Sequence, residues 1–212
     1  MNRKLMLGIL LTGVIAVIAV YFALNLTLIS PQIPITNNPP IVTLTDEEYN
    51  VYSALISSVS DAIVSNTIKL VVIEENTVGS DYSKRSESNE AYVRQDMPEL
   101  QQETLDNYKK ANQQSYLLER QFDLPVSYIL ISEKEKNDIF QSGRGWDDFY
   151  KKYPASQGIM SLSRVGFNSQ EDQALVYIGK EENWEGGRGY IFLLIKENNV
   201  WKIKREVIAW IS

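Results

Sequence analysis

The side chains with the most chemical reach in this 212-residue chain are two arginines, one tryptophan and several paired acids, most of them beyond residue 140. Trp184 lies in the polar segment Lys180-Glu-Glu-Asn-Trp-Glu185, close to Arg188. An aromatic ring at a loop tip beside a guanidinium suits stacking on a sugar ring or anchoring a partner protein. Arg164 shares strand parity with Met160 and Leu162, which turns it toward an apolar face. A guanidinium there needs an acid, and Asp147 or Asp148 is the expected partner in a structural ion pair. The pairs Glu74-Glu75, Asp147-Asp148 and Glu181-Glu182 raise glycoside hydrolysis. That reaction needs two carboxylates converging across a sugar, one with a raised pKa, and adjacency alone supplies neither condition. Solvated charge is the expectation for these pairs.

Other chemistries are excluded by residue type. With no cysteine and no histidine, the chain has no disulfide, no thiolate nucleophile, no Ser-His-Asp triad and no metal site that needs imidazole or sulfur. No Ser-x-x-Lys set stands in a nucleophile context, and no loop follows the Asp-x-Asp-x-Asp-Gly calcium pattern. Gly186-Gly187-Arg188-Gly189 has no βαβ context to make it a phosphate cradle, so it reads as a hairpin connection. Gly143-Arg144-Gly145 reads as a turn leading into a helix. No catalytic residue, metal ligand or cofactor is therefore predicted, and the candidate binding residues are Trp184, Arg188 and Arg164. Setting Arg3 and Lys4 aside leaves 19 of 21 basic residues against 27 acids, about −8 beyond the N-terminal segment. A body of that charge is repelled by nucleic acid.

The element that decides where these residues act comes first in the chain. Leu5 to Ile29 carries no charged residue over 25 positions, and its most apolar part, Leu5 to Leu24, is 20 residues long. As a helix that part spans about 30 Å, one bilayer core. Arg3 and Lys4 in the flank 1–4 predict a cytoplasmic N-terminus and an exported remainder. A cleaved signal peptide has a shorter apolar core, so residues 5–29 are read as an uncleaved anchor in the lipid bilayer. Four of the seven prolines fall between Pro31 and Pro40, marking 30–44 as a stiff linker. Fifteen such residues at about 3.1 Å each reach about 45 Å from the membrane.

The remainder, 45–212, reads as one extracytoplasmic α+β domain. Thr45 and Glu48 form a capping box, with Leu44 placed to staple onto Tyr49, and Tyr49, Tyr52, Leu55, Ile56 and Val59 recur at helical spacing. Thr67–Ile73 and Val126–Ser132 have strand composition, and Gly79–Asn89 reads as an exposed loop. Pro98 is placed to open a helix running to about Ser115, and Ser132 with Glu135 to cap one ending at Phe140. Trp146, Phe149, Tyr150 and Tyr153 share a short helix ended by Pro154. Ile159–Phe167, Gln173–Gly179, Gly189–Lys196 and Val200–Ile211 follow as four strands whose short links predict an antiparallel meander. The expected architecture is an N-terminal transmembrane helix, then helices packed on this C-terminal antiparallel sheet, with the capped helix across one face.

Trp146-x-x-Phe149-Tyr150-x-x-Tyr153-Pro154-x-x-x-Gly158, Ser163 to Asn168, Gln173 to Tyr177, Gly187-x-Gly189-Tyr190, Lys196 and Trp201-Lys202-Ile203 together resemble a family of uncharacterised bacterial exported, membrane-anchored proteins. The likeness covers about the last 70 residues. It implies an envelope location and carries over no catalytic residue. The closing strand-turn-Trp-Lys-Ile pattern is also similar to the ending of cystatin-like and nuclear-transport-factor-like domains, in which helices wrap a curved antiparallel sheet.

The leading functional expectation is a single-pass protein of the bacterial cell envelope that binds another envelope protein or a glycan. A carboxylate-dependent hydrolase of cell-wall glycan is the alternative, and a small-ligand binder with a cavity between helix and sheet is the third.

Overall fold

The computed structural model describes residues 43–59, 68–79, 90–141 and 143–212. The expected anchor over 5–29, the linker up to residue 42 and nearly all of the expected loop 79–89 lie outside the described residues. Within the described residues no helix is long and apolar enough to cross a membrane.

Helix α1 (Asp46–Val59) begins as its capping box dictates. The Thr45 amide donates to Glu48 Oε2 at 2.9 Å, and the Glu48 amide donates to Thr45 Oγ1 at 3.2 Å. Two end amides that the helix leaves without partners are thereby satisfied. Asp46, Glu47 and Glu48 put negative charge on the positive end of the helix dipole. Tyr49, Tyr52, Leu55 and Ile56 are buried as their spacing requires, and Leu44 joins the same cluster.

After α1 come β1 (Leu70–Glu74), α2 (Glu90–Asp96), α3 (Gln102–Ala111), β2 (Ser127–Ile131), α4 (Glu133–Phe140) and α5 (Trp146–Lys152). Then follow β3 (Ser156–Leu162), β4 (Gly166–Phe167), β5 (Gln173–Glu181), β6 (Gly187–Glu197) and β7 (Val200–Ile211). The fold is α+β, with one mixed, mostly antiparallel sheet in the order β2-β1-β3-β5-β6-β7 and β4 paired to β5. The strands β3, β5, β6 and β7 are antiparallel as expected, and Asn198-Asn199, both with positive φ, turn β6 into β7. The sheet is larger than the expected four strands, because β1 pairs in parallel with both β2 and β3. Helical segments separate β1 from β2 and β2 from β3, and such crossovers deliver parallel neighbours.

The short helix α2 has no counterpart in the sequence expectation, and among the elements that have one, two depart most from it. The predicted helix from Pro98 to Ser115 starts later, at Gln102. Buried Gln173, from β5, sets that start: its Oε1 accepts from the Gln101 amide at 2.8 Å and from Thr104 Oγ1 at 2.9 Å. The predicted strand Ile159–Phe167 is two strands. Leu162 pairs with Ile178 and Gly166 with Leu175, so Ser163, Arg164 and Val165 stand opposite only Val176 and Tyr177. At this bulge the Ser163 hydroxyl accepts from the Tyr177 amide at 2.8 Å, supplying an acceptor where the ladder is interrupted.

Helices cover both sheet faces. Helix α1 packs on one, against residues such as Met160, Val176, Phe192 and Trp201. On the other, α4 and α5 bring Ile139, Trp146 and Phe149 onto Val72 and Ile159. On that same face α2 and α3 bring Met97, Leu105 and Tyr108 onto Leu175, Tyr177 and Leu193. Ile191 to Leu194 are buried on both parities, as a doubly covered strand requires.

Candidate functional site

The Trp184 loop joins β5 to β6 and is held by its own backbone. The amides of Glu182 and Asn183 both donate to Gly186 O, at 2.7 and 3.3 Å, and the Glu185 amide donates to Asn183 Oδ1 at 2.9 Å. Tyr150 of α5 adds a hydroxyl bond to Glu182 O at 2.8 Å. The indole that this turn projects is 71% exposed, yet it has a fixed seat. Its ring meets Phe140 of α4 edge to face, centroids 6.0 Å apart, and Phe140 meets Trp146 in the same way at 5.0 Å. The far edge of the indole rests on Gly145, where any Cβ would stand 2.4 Å from the ring. Gly145 also has φ of +46°, which only glycine adopts without strain.

Beneath this loop the sheet is stripped of side chains. Gly187 and Gly189 alternate on the face covered by α4 and α5, and the Trp210 indole lies over both. A Cβ on Gly189 would fall 2.1 Å from Trp210 Nε1, and one on Gly187 2.9 Å from the same ring. Trp210 Nε1 donates to the Tyr177 hydroxyl at 2.8 Å, which fixes the ring's orientation. Two bulges in β7 each reverse the side-chain parity and together cancel, so Trp210 lies on the face opposite Trp201. Trp201 and Ile203 pack toward α1; past the first bulge Val207 packs toward α2 and α3, and past the second Trp210 pairs with Gly189.

Together these parts leave a cleft of about 380 Å³ whose apolar walls are Phe140, Trp146, Trp184 and Trp210. Polar groups enter from Lys136, Glu181 and Asn183. Lys136 Nζ is bonded to Glu74 of β1 and stands 3.7 Å from Glu181 Oε2. One ammonium is thus shared by carboxylates from two strands, with β3 between them.

Of the three candidate binding residues read from the sequence, only Trp184 belongs to this cleft, which Glu181 of the acid pair Glu181-Glu182 also lines. Arg188 is exposed and sits between Gly187 and Gly189 in β6, so its side chain leaves by the opposite face. The expected pairing of Trp184 with Arg188 is corrected by strand alternation.

Arg164 lies elsewhere, on the β3–β4 bulge. Its expected partners were Asp147 or Asp148, but Asp148 pairs with Arg144 at 2.9 Å, and Arg164 pairs with Glu48. The guanidinium donates Nε to Glu48 Oε1 at 2.9 Å and Nη2 to Oε2 at 2.7 Å, and it lies 4.5 Å over the Tyr116 ring. Asn112 brackets its backbone, accepting from the Arg164 amide at 2.7 Å and donating to Arg164 O at 3.0 Å. The bonds from Glu48 push the Arg164 pKa up against the opposing effect of burial.

Shifted carboxyls move in the direction opposite to that of a general acid. Glu135 is held below the usual range by its bond from Lys152, aided by the Tyr153 hydroxyl. Glu90 is held low by Lys109 and Arg94, and Glu197 by Lys202. For Glu47, burial acts upward, but bonds from Lys196, Asn50 and Trp201 outweigh it. Among the described residues no group of three or more acids is placed to hold a metal ion.

Phe140, Trp146 and Trp210 were not read from the sequence as site residues. The signal present was Gly187-x-Gly189 with a tryptophan late in the following strand, and it acquires meaning only once the β6–β7 register is known. No protein-family model, no curated protein and no solved structure matches this chain.

Proposed function

We propose that this chain is a membrane-anchored binding module of the bacterial cell envelope, held in the bilayer by residues 5–29 with its α+β body outside the cytoplasmic membrane. The observation that carries the binding role is the aromatic cleft. Four rings converge on a hollow, the indoles of Trp210 and Trp184 resting on glycines, and the outermost, Trp184, is seated but uncovered. Large exposed aromatics in a fixed geometry are the usual anchors of recognition, because they bury much area at little entropic cost. The charge-free N-terminal stretch and the proline-rich spacer support the location, as does the resemblance to exported bacterial proteins.

Protease added to intact spheroplasts tests the topology: it is expected to remove the body and leave a short membrane-protected fragment, whereas full protection contradicts it. The alternative, a carboxylate hydrolase of cell-wall glycan, draws on Glu181 and Glu74 converging from separate strands. Both acids are engaged by Lys136, which favours binding over catalysis. Release of reducing ends from purified cell wall, abolished by Glu181→Gln, would favour the hydrolase.

A further inference from the structure

We propose that the cleft takes a sugar ring of a neutral glycan, stacked on Trp184. This rests on the reading of the cleft as the binding site and names its ligand class. The apolar lining consists of rings alone: Phe140, Trp146, Trp184 and Trp210, with no aliphatic side chain or methionine among them. A pocket for an apolar peptide side chain gains from branched, adaptable walls, whereas flat, electron-rich indole faces match the flat C–H faces of a pyranose.

The polar lining matches the rest of a sugar. Asn183 offers an amide that both donates and accepts, Glu181 accepts and Lys136 donates. Sugar hydroxyls need such mixed partners, because each is donor and acceptor at once. Charge argues against an ionic ligand. The ammonium of Lys136 is already shared by Glu74 and Glu181, so among the described residues the cleft holds no surplus cation for a phosphate or an acidic peptide. Its volume of about 380 Å³ is at the small end for ligand pockets, and the exposed platform leaves it open for a polymer to continue past the bound ring.

The test uses the full chain in detergent micelles, labelled with 5-fluorotryptophan so that all four tryptophans are followed by fluorine NMR. The probes are three neutral glycans: β-1,4-linked tetrasaccharides of glucose, of mannose and of N-acetylglucosamine. At least one is expected to give a saturable shift of the Trp184 and Trp210 resonances while Trp201, on the α1 face, stays in place. Trp184→Ala is expected to weaken that binding at least tenfold, with the fold retained by circular dichroism. No shift with any of the three at millimolar concentration, or binding that survives Trp184→Ala, overturns the glycan assignment. A further arm adds a glycan-free envelope protein extract. If only that arm moves Trp184, the ligand class is wrong and the binding site stands; if neither moves it, both readings fall.

Discussion

Glu48, in the first turn of α1, and Arg164, on the bulge between β3 and β4, are joined by two hydrogen bonds of 2.9 and 2.7 Å across 116 residues of chain. The Glu48 carboxylate that closes the capping box therefore also ties the helix to the sheet. Both side chains are removed from water, at 2% and 13% exposure, and removing either leaves the other charge buried without its partner. Arg164→Met or Glu48→Gln is expected to cost about 3–5 kcal/mol. The double replacement should cost clearly less than the sum, which a double-mutant cycle in urea would read as coupling. Additive losses would show that the pair is not energetically coupled.

Local and long-range features differed in how legible they were. The capping box, the Ser132 cap of α4 and the β6–β7 hairpin are contained in a few neighbouring residues, and each formed where the sequence placed it. The partner of Arg164 was not legible, because no local pattern links residue 164 to residue 48. The parallel strands β1 and β2 were recognisable as strands, but composition carries no information about which neighbour a strand joins. Val207 was hidden for a sharper reason: the first bulge in β7 reverses the side-chain parity, so alternation counted from Trp201 gives the wrong face there, and only the second bulge restores it at Trp210.

The tryptophans divide into a recognition residue and structural ones. Trp184 is 71% exposed, so Trp184→Ala is expected to change stability by no more than about 0.5 kcal/mol while weakening ligand binding at least about tenfold. Trp146 is 7% exposed within the α4–α5 cluster, and Trp146→Ala should cost about 3–5 kcal/mol. Thermal unfolding of the two variants checks the contrast, and equal losses would contradict it.

Gly145 controls the cleft without lining it. Gly145→Ala adds a Cβ 2.4 Å from the Trp184 ring, at a backbone φ of +46°. The expected result is a loss of at least about 1 kcal/mol, together with displacement of the indole from Phe140. Altered tryptophan fluorescence with weakened ligand binding would confirm the effect, and an unchanged spectrum would contradict it.

Stability should fall at both ends of the pH scale. The Lys152 bond holds Glu135 below its unfolded value of 4.5, so its contribution is present above about pH 4.5 and is lost as pH falls through the lower folded value. Lys152→Met should flatten that acid limb. Burial pushes the Tyr108 phenol from 10 up to about 12, partly offset by the Ser163 hydroxyl, and pushes Tyr52 well above 10. A raised phenol stabilises the fold below pH 10 and loses that contribution as pH rises toward 12. Tyrosine absorbance at 295 nm should therefore show a late fraction ionising together with unfolding. Tyr108→Phe should shift the alkaline transition upward.

The binding role is tested most directly by a photoactivatable residue in place of exposed Glu185, next to the Trp184 platform, in the full chain displayed by living cells. Illumination is expected to yield a discrete covalent adduct with an envelope component, and the adduct should vanish when Trp184→Ala is added. An unmodified chain after illumination, or an adduct indifferent to Trp184, would contradict a recognition role for the cleft.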